Sequence, residues 1–410
     1  MKYNYNIPDK LGVHGHKERF QKKPFYCPFP FKYVYGEQDG AWALCSEAIN
    51  SDHNSSDMSI IEWFTSDYMN KVRKEMLSDT PSMKNLSMCS NCIESEKNHG
   101  HSTRTNLDSD DGTVVNTFWF ERIGEYMFVG NPITIQIRMF KNNETCNLSC
   151  YMCFPKFSSK RRVDTKKINV IELIPRFEYV DTSGPKSRKI SALEDIKEVA
   201  PYLHNIEIIG GEPLYIKESY DFISRLVKEV DCSNINLSIF TNLSVLENDG
   251  RNFLDFKKYF QSMLFKVSLD GVGRYNDYIR YGSSFETLSE NIKSIKRAEN
   301  CKILIWTTLS MLSILRYDLL REWLDENDLL DYHEYNFLRD PYELSVANLP
   351  DQIKKSMIHK FTDHPQIIKL LKSEGSDEMF QTAMKYVTRL DKLHGTDVFE
   401  LYPELKEYVK

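Results

Sequence analysis

The chain of 410 residues is long enough for two or three domains and a large buried core. Its 41% hydrophobic and 27% charged residues describe an ordinary globular protein, and a formal net charge of -6 excludes any general attraction to nucleic acid or anionic membrane. The opening residues Met1-Lys-Tyr-Asn-Tyr-Asn-Ile-Pro8 hold no apolar signal core, and no run approaches the roughly 18 apolar residues of a membrane span, so a cytoplasmic location is expected.

Residues 1–125 show no strand-helix alternation. An aromatic and proline-rich stretch, Pro24 to Phe31, leads into an expected hairpin around Gly36 to Gly40 and then a polar loop from Ser51 to Asp57. Ser59 and Glu62 form a capping-box pattern, which predicts a helix continuing toward Met76. Ser102 to Asp111 is polar and acidic and reads as an exposed connector.

From about residue 130 short apolar runs alternate with amphipathic segments. Strands are predicted at 133–140, 205–209, 235–241, 265–269, 302–309 and 333–338, with helical periodicity in most intervals. Runs such as Ile206-Glu-Ile-Ile209 are too apolar to face water, which implies a parallel α/β sheet covered by helices and closing as an open, partial barrel. The basic cluster Lys160 to Lys167 reads as a solvated face or loop, with contact to an acidic substrate as the alternative. After Pro341 the chain is helical. Three segments are therefore expected: 1–125, 126–340 and 341–410.

Nine cysteines in a chain expected in the reducing cytosol point to metal or catalysis. Cys146, Cys150 and Cys153 stand at a C-x3-C-x2-C spacing after the first barrel strand. Iron-sulfur cubes and structural zinc normally take four protein ligands, so three thiolates leave one coordination position open for chemistry. Cys27, Cys45, Cys89 and Cys92 can form a second group, and Cys232 and Cys301 read as core thiols. The second barrel strand ends in Gly210-Gly211-Glu212-Pro213, where glycines let a ligand lie against the backbone and a carboxylate can accept hydrogen bonds from an ammonium group. Ligands of parallel sheets bind at the carboxyl ends of strands, so this turn and the cysteine loop should share one mouth.

In this order the motifs resemble the radical SAM superfamily, over roughly residues 130–340. The resemblance implies a partial (β/α)6 TIM-like barrel whose Cys146, Cys150 and Cys153 hold a 4Fe-4S cluster, with S-adenosyl-L-methionine chelating the unique iron. It implies that Gly210, Gly211 and Glu212 bind the amino group, and that Ser238 to Asn242 form the ribose-side strand. Ser268-Leu-Asp270-Gly271 with Arg280 matches the segment whose arginine meets the methionine carboxylate. Met152 stands where an aromatic residue is usual and presents backbone groups toward adenine, and Leu243 replaces a frequent glycine. The implied activity is reductive cleavage of S-adenosylmethionine to a 5'-deoxyadenosyl radical that abstracts hydrogen from a substrate, with a one-electron donor such as flavodoxin or ferredoxin as partner.

The N-terminal cysteines resemble the twitch or SPASM-like auxiliary module, with its C-x(9 to 15)-G-x4-C hairpin formed by Cys27, Gly40 and Cys45, and Cys89-x2-Cys92 completing the set. The implied cofactor is a second 4Fe-4S cluster, and a four-cysteine zinc site is the alternative. His99 and His101 are extra ligands or, on the simpler reading, exposed loop residues. Related modules accompany enzymes acting on peptides or proteins, so a peptide substrate is expected. A sugar or nucleotide, or a non-catalytic metal-stabilised binding protein, is the alternative; no membrane or nucleic-acid partner is expected.

Overall fold

The computed structural model describes residues 25–27, 29–37, 40–48, 55, 57–99, 102, 104, 134–138, 144–178 and 192–410. In chain order the strands of the main sheet are β1 (Tyr33–Gly36), β2 (Trp42–Ala43), β3 (Thr134–Ile137), β4 (Asn205–Ile208) and β5 (Asn236–Thr241). After a small ribbon of β6 (Glu247–Asn248) and β7 (Arg251–Asn252) come β8 (Ser262–Ser268), β9 (Cys301–Leu309) and β10 (His333–Phe337). The eight-stranded sheet has the order β10-β9-β8-β5-β4-β3-β1-β2. Every neighbouring pair is parallel except β1 and β2. The six predicted strands are all present within a few residues of their expected bounds.

Alternation along these strands separates two faces. Ile135, Ile137, Ile206, Ile208, Leu237, Ile239, Phe265, Val267 and Ile305 are fully buried on one of them. They share a core with Tyr220, Ile223 and Leu226 of the helix Lys217–Glu229 and with Leu288, Ile292 and Ile295 of the helix Phe285–Arg297. Each such side chain contributes about 1.5–3 kcal/mol of transfer free energy, so this layer fixes the strand register. The other face is polar: Gln136 pairs in register with Glu207, and Glu207 with Ser238.

The expected hairpin forms between β1 and β2. Gly40 adopts φ +87° in the connection, a conformation that glycine takes without a Cβ clash, and its amide donates to the Glu37 carbonyl at 3.0 Å. The sequence pattern did not foresee that β1 would dock in parallel on β3, pairing Tyr33 with Thr134 and Gly36 with Ile137. The N-terminal segment thus extends the same sheet.

The helix predicted from Ser59 toward Met76 is two helices, Ile60–Phe64 and Asp67–Met76. The Ser59–Glu62 capping box is present, but the Thr65 hydroxyl turns back to the Ile61 carbonyl and Ser66 caps a new helix through the Met69 amide. Side-chain competition for backbone groups explains the break. Most of the connector Ser102 to Asp111 lies outside the described residues, as does His101. Ser102 and Arg104, however, are buried against Glu96 rather than exposed. The basic cluster is the helix Ser159–Lys167; Arg161 is fully buried while Lys166 and Lys167 face solvent.

The C-terminal segment is helical, as expected. Its longest element, Asp377–His394, starts at an N-cap, Ser376, and ends at Gly395 in the left-handed conformation, φ +71°. Among the described residues no helix is long and apolar enough to cross a membrane.

Candidate active site

The cysteine loop follows β3 and rests against neighbouring strand ends. The Ser149 and Tyr151 amides donate to the Tyr281 and Ile279 carbonyls at 2.8 and 3.0 Å, and the Ser158 hydroxyl donates to the Leu148 carbonyl. Gly211 of the glycine turn lies directly beneath. A Cβ there would stand 2.4 Å from the Thr145 carbonyl oxygen, so glycine is required for the turn and the loop to touch, and the Glu212 amide then bonds that same oxygen at 2.9 Å. The expected shared mouth exists.

Cys150 is buried, and Cys146 and Cys153 are part-exposed. Burial raises all three thiol pKa values, with Cys153 pushed up to about 12. The guanidinium groups of Arg280 and Arg161 oppose that rise at Cys150, and Arg161, Arg280 and Arg138 do so at Cys153. Arg280 Nη1 stands 4.0 Å from Cys150 Sγ. A loop of desolvated thiols ringed by cations is suited to thiolates neutralised by a metal centre.

Glu212 is fully buried. Its Oε1 accepts from Thr241 Oγ1 at 2.6 Å and the Leu214 amide at 3.0 Å, and its Oε2 accepts from the Asn242 amide at 2.6 Å. Burial nevertheless dominates these bonds and pushes its carboxyl up to about 7. An ionised carboxylate has about four acceptor sites, so one is left for a ligand donor. Thr241 was not singled out from the sequence, although it immediately precedes Asn242. Asn242 Nδ2 reaches Asn147 Oδ1 at 3.1 Å and lies 3.8 Å from Cys146 Sγ, tying the end of β5 to the loop. Leu243 is buried at φ +52°, a left-handed conformation that glycine adopts without strain.

At the end of β8, Asp270 Oδ1 accepts from the Thr308 amide at 2.7 Å, and Oδ2 pairs with Arg280 Nη2 at 2.8 Å. This pair aims Arg280 at the cysteine loop. Arg280 Nε is buried without a partner, an unused donor that fits a ligand carboxylate. Ser238 is buried within β5, whereas Ser268 and Met152 are part-exposed at the mouth. Contacts thus join the cysteine loop, the Gly211–Glu212 turn, Asn242 and the Asp270–Arg280 pair, whereas Ser238 lies within β5; three thiols, one spare carboxylate site and an arginine donor fit a cluster bearing an amino-acid ligand.

An uncharted partner of the loop is the C-terminal helix. Tyr151 and Tyr278 both donate to Asp391 Oδ1 at 2.9 Å, Thr396 Oγ1 donates to it at 2.6 Å, and Oδ2 takes the Val398 amide at 2.8 Å. Tyr386 donates to the Tyr151 carbonyl at 2.7 Å. Asp391 is thus a buried anchor for the residue that follows Cys150.

The other cysteine group also converges. Cys27 lies in electrostatic range of Cys89 and Cys92, and Cys45 of all three. Burial raises each thiol, Cys89 to about 12. Among the described residues no three His, Cys, Asp or Glu side chains are close enough together to hold a single metal ion. Cys232 is buried and Cys301 packs part-buried against the core, as expected of core thiols. A 710 Å³ cavity lined by residues including Lys197, His204, Glu229 and Gln261 lies at the opposite, N-terminal ends of β4, β5 and β8, away from the cysteine loop.

Residues 143–309 match the family model described as the radical SAM superfamily. Among solved structures, native anSMEcpe with bound AdoMet is 18% identical over 60% of this chain and 63% of that chain, with a TM-score of 0.39. A histidine-tagged form of anSMEcpe with bound AdoMet is 16% identical over 60% and 62%, with a TM-score of 0.40. The chain thus spans less than two thirds of these structures. No curated protein sequence matches it. Residues 143–309 constitute a radical SAM domain.

Proposed function

We propose that the chain abstracts hydrogen from a peptide or protein substrate, and that its strands form a partial barrel with a twitch-like module, Cys27, Cys45, Cys89 and Cys92, holding an auxiliary 4Fe-4S cluster. Cys146, Cys150 and Cys153 would hold the core cluster, which with S-adenosylmethionine would supply one-electron reductive cleavage of the sulfonium to methionine and a 5'-deoxyadenosyl radical. The chain's own residues bind and orient. Gly210 and Gly211 offer backbone at the mouth, Glu212 accepts from the amino group, Arg280 donates to the carboxylate, and Ser238, Asn242, Ser268 and the Met152 backbone line the nucleoside side. Tyr151, Phe154, Phe177 and Tyr386, in edge contact with ring centroids 5.1–6.4 Å apart, wall off water behind the loop.

The observation that carries the reading is the joined Cys146 loop, Glu212 turn and Asp270–Arg280 pair. For the auxiliary site, a tetrahedral zinc with Zn–S near 2.3 Å would draw four sulfurs to roughly 3.8 Å of one another. Four thiolates suit either group, and the neighbouring radical SAM domain is what favours a cluster over that ion. A one-electron donor such as flavodoxin or ferredoxin is the expected partner, and the cytoplasm the expected location.

Anaerobic reconstitution tests this. About eight irons per chain are expected, against about four if the N-terminal site takes zinc. Replacing Cys146, Cys150 and Cys153 by alanine should halve the iron and abolish 5'-deoxyadenosine formation; replacing Cys89 and Cys92 should halve the iron while uncoupled cleavage persists. Cleavage surviving the first triple change would refute the assignment.

A further inference from the structure

The polar face of the sheet carries a charged group that the proposed chemistry leaves unused. Gln136 and Arg138 follow one another at a two-residue interval along the β3 line and share that face. Glu207 takes both Gln136 Nε2 and Lys266 Nζ, so the Lys266 charge is matched. Gln136 is 6% exposed and its Oε1 is buried with no partner. Arg138 Nε is also buried with no partner, its guanidinium lies 4.4 Å over the Phe157 ring, and it makes no ion pair among the described residues. It stands near enough to Cys153 on one side, and to Tyr33 and Tyr35 on the other, to bias their ionisation. Exposure on this face rises toward the carboxyl strand ends: Gln136, Glu207 and Ser238 are buried, whereas Arg138, Phe240, Ser268 and Trp306 are part-exposed at the mouth.

We propose that Arg138 and Gln136 form a substrate subsite for a carboxylate with a neighbouring N–H donor, as an acidic residue of a peptide presents. The buried Arg138 Nε has no acceptor, and a carboxylate would supply one together with a counter-charge for the guanidinium. Gln136 has spent its amide on Glu207, so its free oxygen accepts and selects a donor. A phosphate dianion fits less well, because Glu207 and the Gln136 oxygen stand on the same face. The subsite rests on the radical SAM reading and narrows its substrate class.

The test uses the reconstituted full chain loaded with S-adenosylmethionine. N-acetyl-L-glutamic acid amide and its neutral isostere, N-acetyl-L-glutamine amide, are compared by equilibrium dialysis, with 5'-deoxyadenosine scored on reduction of the same samples. The acid should bind about ten-fold or more tighter. Arg138→Gln should erase the preference, Arg138→Lys should keep part of it, and Gln136→Leu should weaken both probes, with S-adenosylmethionine affinity unchanged throughout. Equal binding, no binding, or a preference surviving Arg138→Gln overturns the subsite. So does an Arg138→Gln variant that shifts only the core cluster's midpoint potential, which would assign Arg138 to the cluster. No 5'-deoxyadenosine under any condition sinks the underlying reading instead.

Discussion

Replacing Asp391 by alanine should loosen the cysteine loop from a distance. The change strands two buried tyrosine hydroxyls, the Thr396 hydroxyl and the Val398 amide, which all converge on one carboxylate at 2.6–2.9 Å. Each unsatisfied buried donor costs about 1–3 kcal/mol, and because the four share one acceptor the sum is bounded near the 3–5 kcal/mol of a broken buried charge network. With about 2.1 cal/mol/K of unfolding entropy per residue over roughly 250 cooperating residues, the melting temperature should fall by about 6–10 °C. Asp391→Asn keeps one acceptor oxygen but sets an amide N–H against the Val398 amide, so about 1–2 kcal/mol is expected. Scanning calorimetry measures the first effect. The second readout is specific to the loop: Tyr151 directly follows Cys150, so reconstituted Asp391→Ala should release core-cluster iron to a chelator several-fold faster than wild type. A variant that melts within about 1 °C of wild type and keeps its iron as long would show that the anchor does not hold the loop.

At Leu243 the usual order of truncations should invert. The residue is fully buried at φ +52°, so alanine loses about 2–5 kcal/mol of packing and keeps the strain, whereas glycine relieves about 1 kcal/mol of it; urea denaturation should find Leu243→Gly the less destabilised of the two. His333 provides a pH test. Burial lowers its pKa to about 3, and Thr307 Oγ1 sits 2.9 Å from its Nε2. The folded value lies below the unfolded 6.5, so its stabilisation is complete above pH 6.5 and is lost as pH falls toward 3. With allowance for its part-exposed ring, His333→Gln should flatten the loss of stability between pH 7.5 and 5.5 by about 1 kcal/mol; an unchanged pH slope would contradict this.

What could be read in advance depended on whether a residue's role follows from its neighbours in the chain. The cysteine loop, the Gly210–Glu212 turn and the Ser268–Arg280 segment announce themselves because strand-end chemistry is local, and the six strands follow from apolar alternation. Arg161 was hidden by its company: five basic residues in eight look solvated, and only the fold shows three of them turned to loop carbonyls, Lys160 to Asn147 at 3.2 Å, the buried Arg161 to Tyr151 at 3.3 Å and Arg162 to Pro155 at 3.4 Å. Thr241 was obscured by the more conspicuous Asn242 beside it. β1 is four residues long, too short for periodicity to declare a parallel partner about 100 positions away.

Asp391 shows the physical reason for that limit. In the pattern of the helix Asp377–His394 a carboxylate near the C-terminal end is ordinary surface chemistry, even slightly unfavourable against the helix dipole. It becomes buried only because Tyr151, 240 residues earlier, and Tyr278, 113 residues earlier, arrive with hydroxyls in need of an acceptor. The same fold that joins the cysteine loop to Glu212 and Arg280 also creates that demand, and the C-terminal segment meets it. The radical SAM core and its helical extension are therefore one mechanical unit at the cysteine loop, although their sequences read as separate segments. Removing residues 341–410 should expose Tyr151, Tyr278 and Arg161 together and should not leave a minimal active domain.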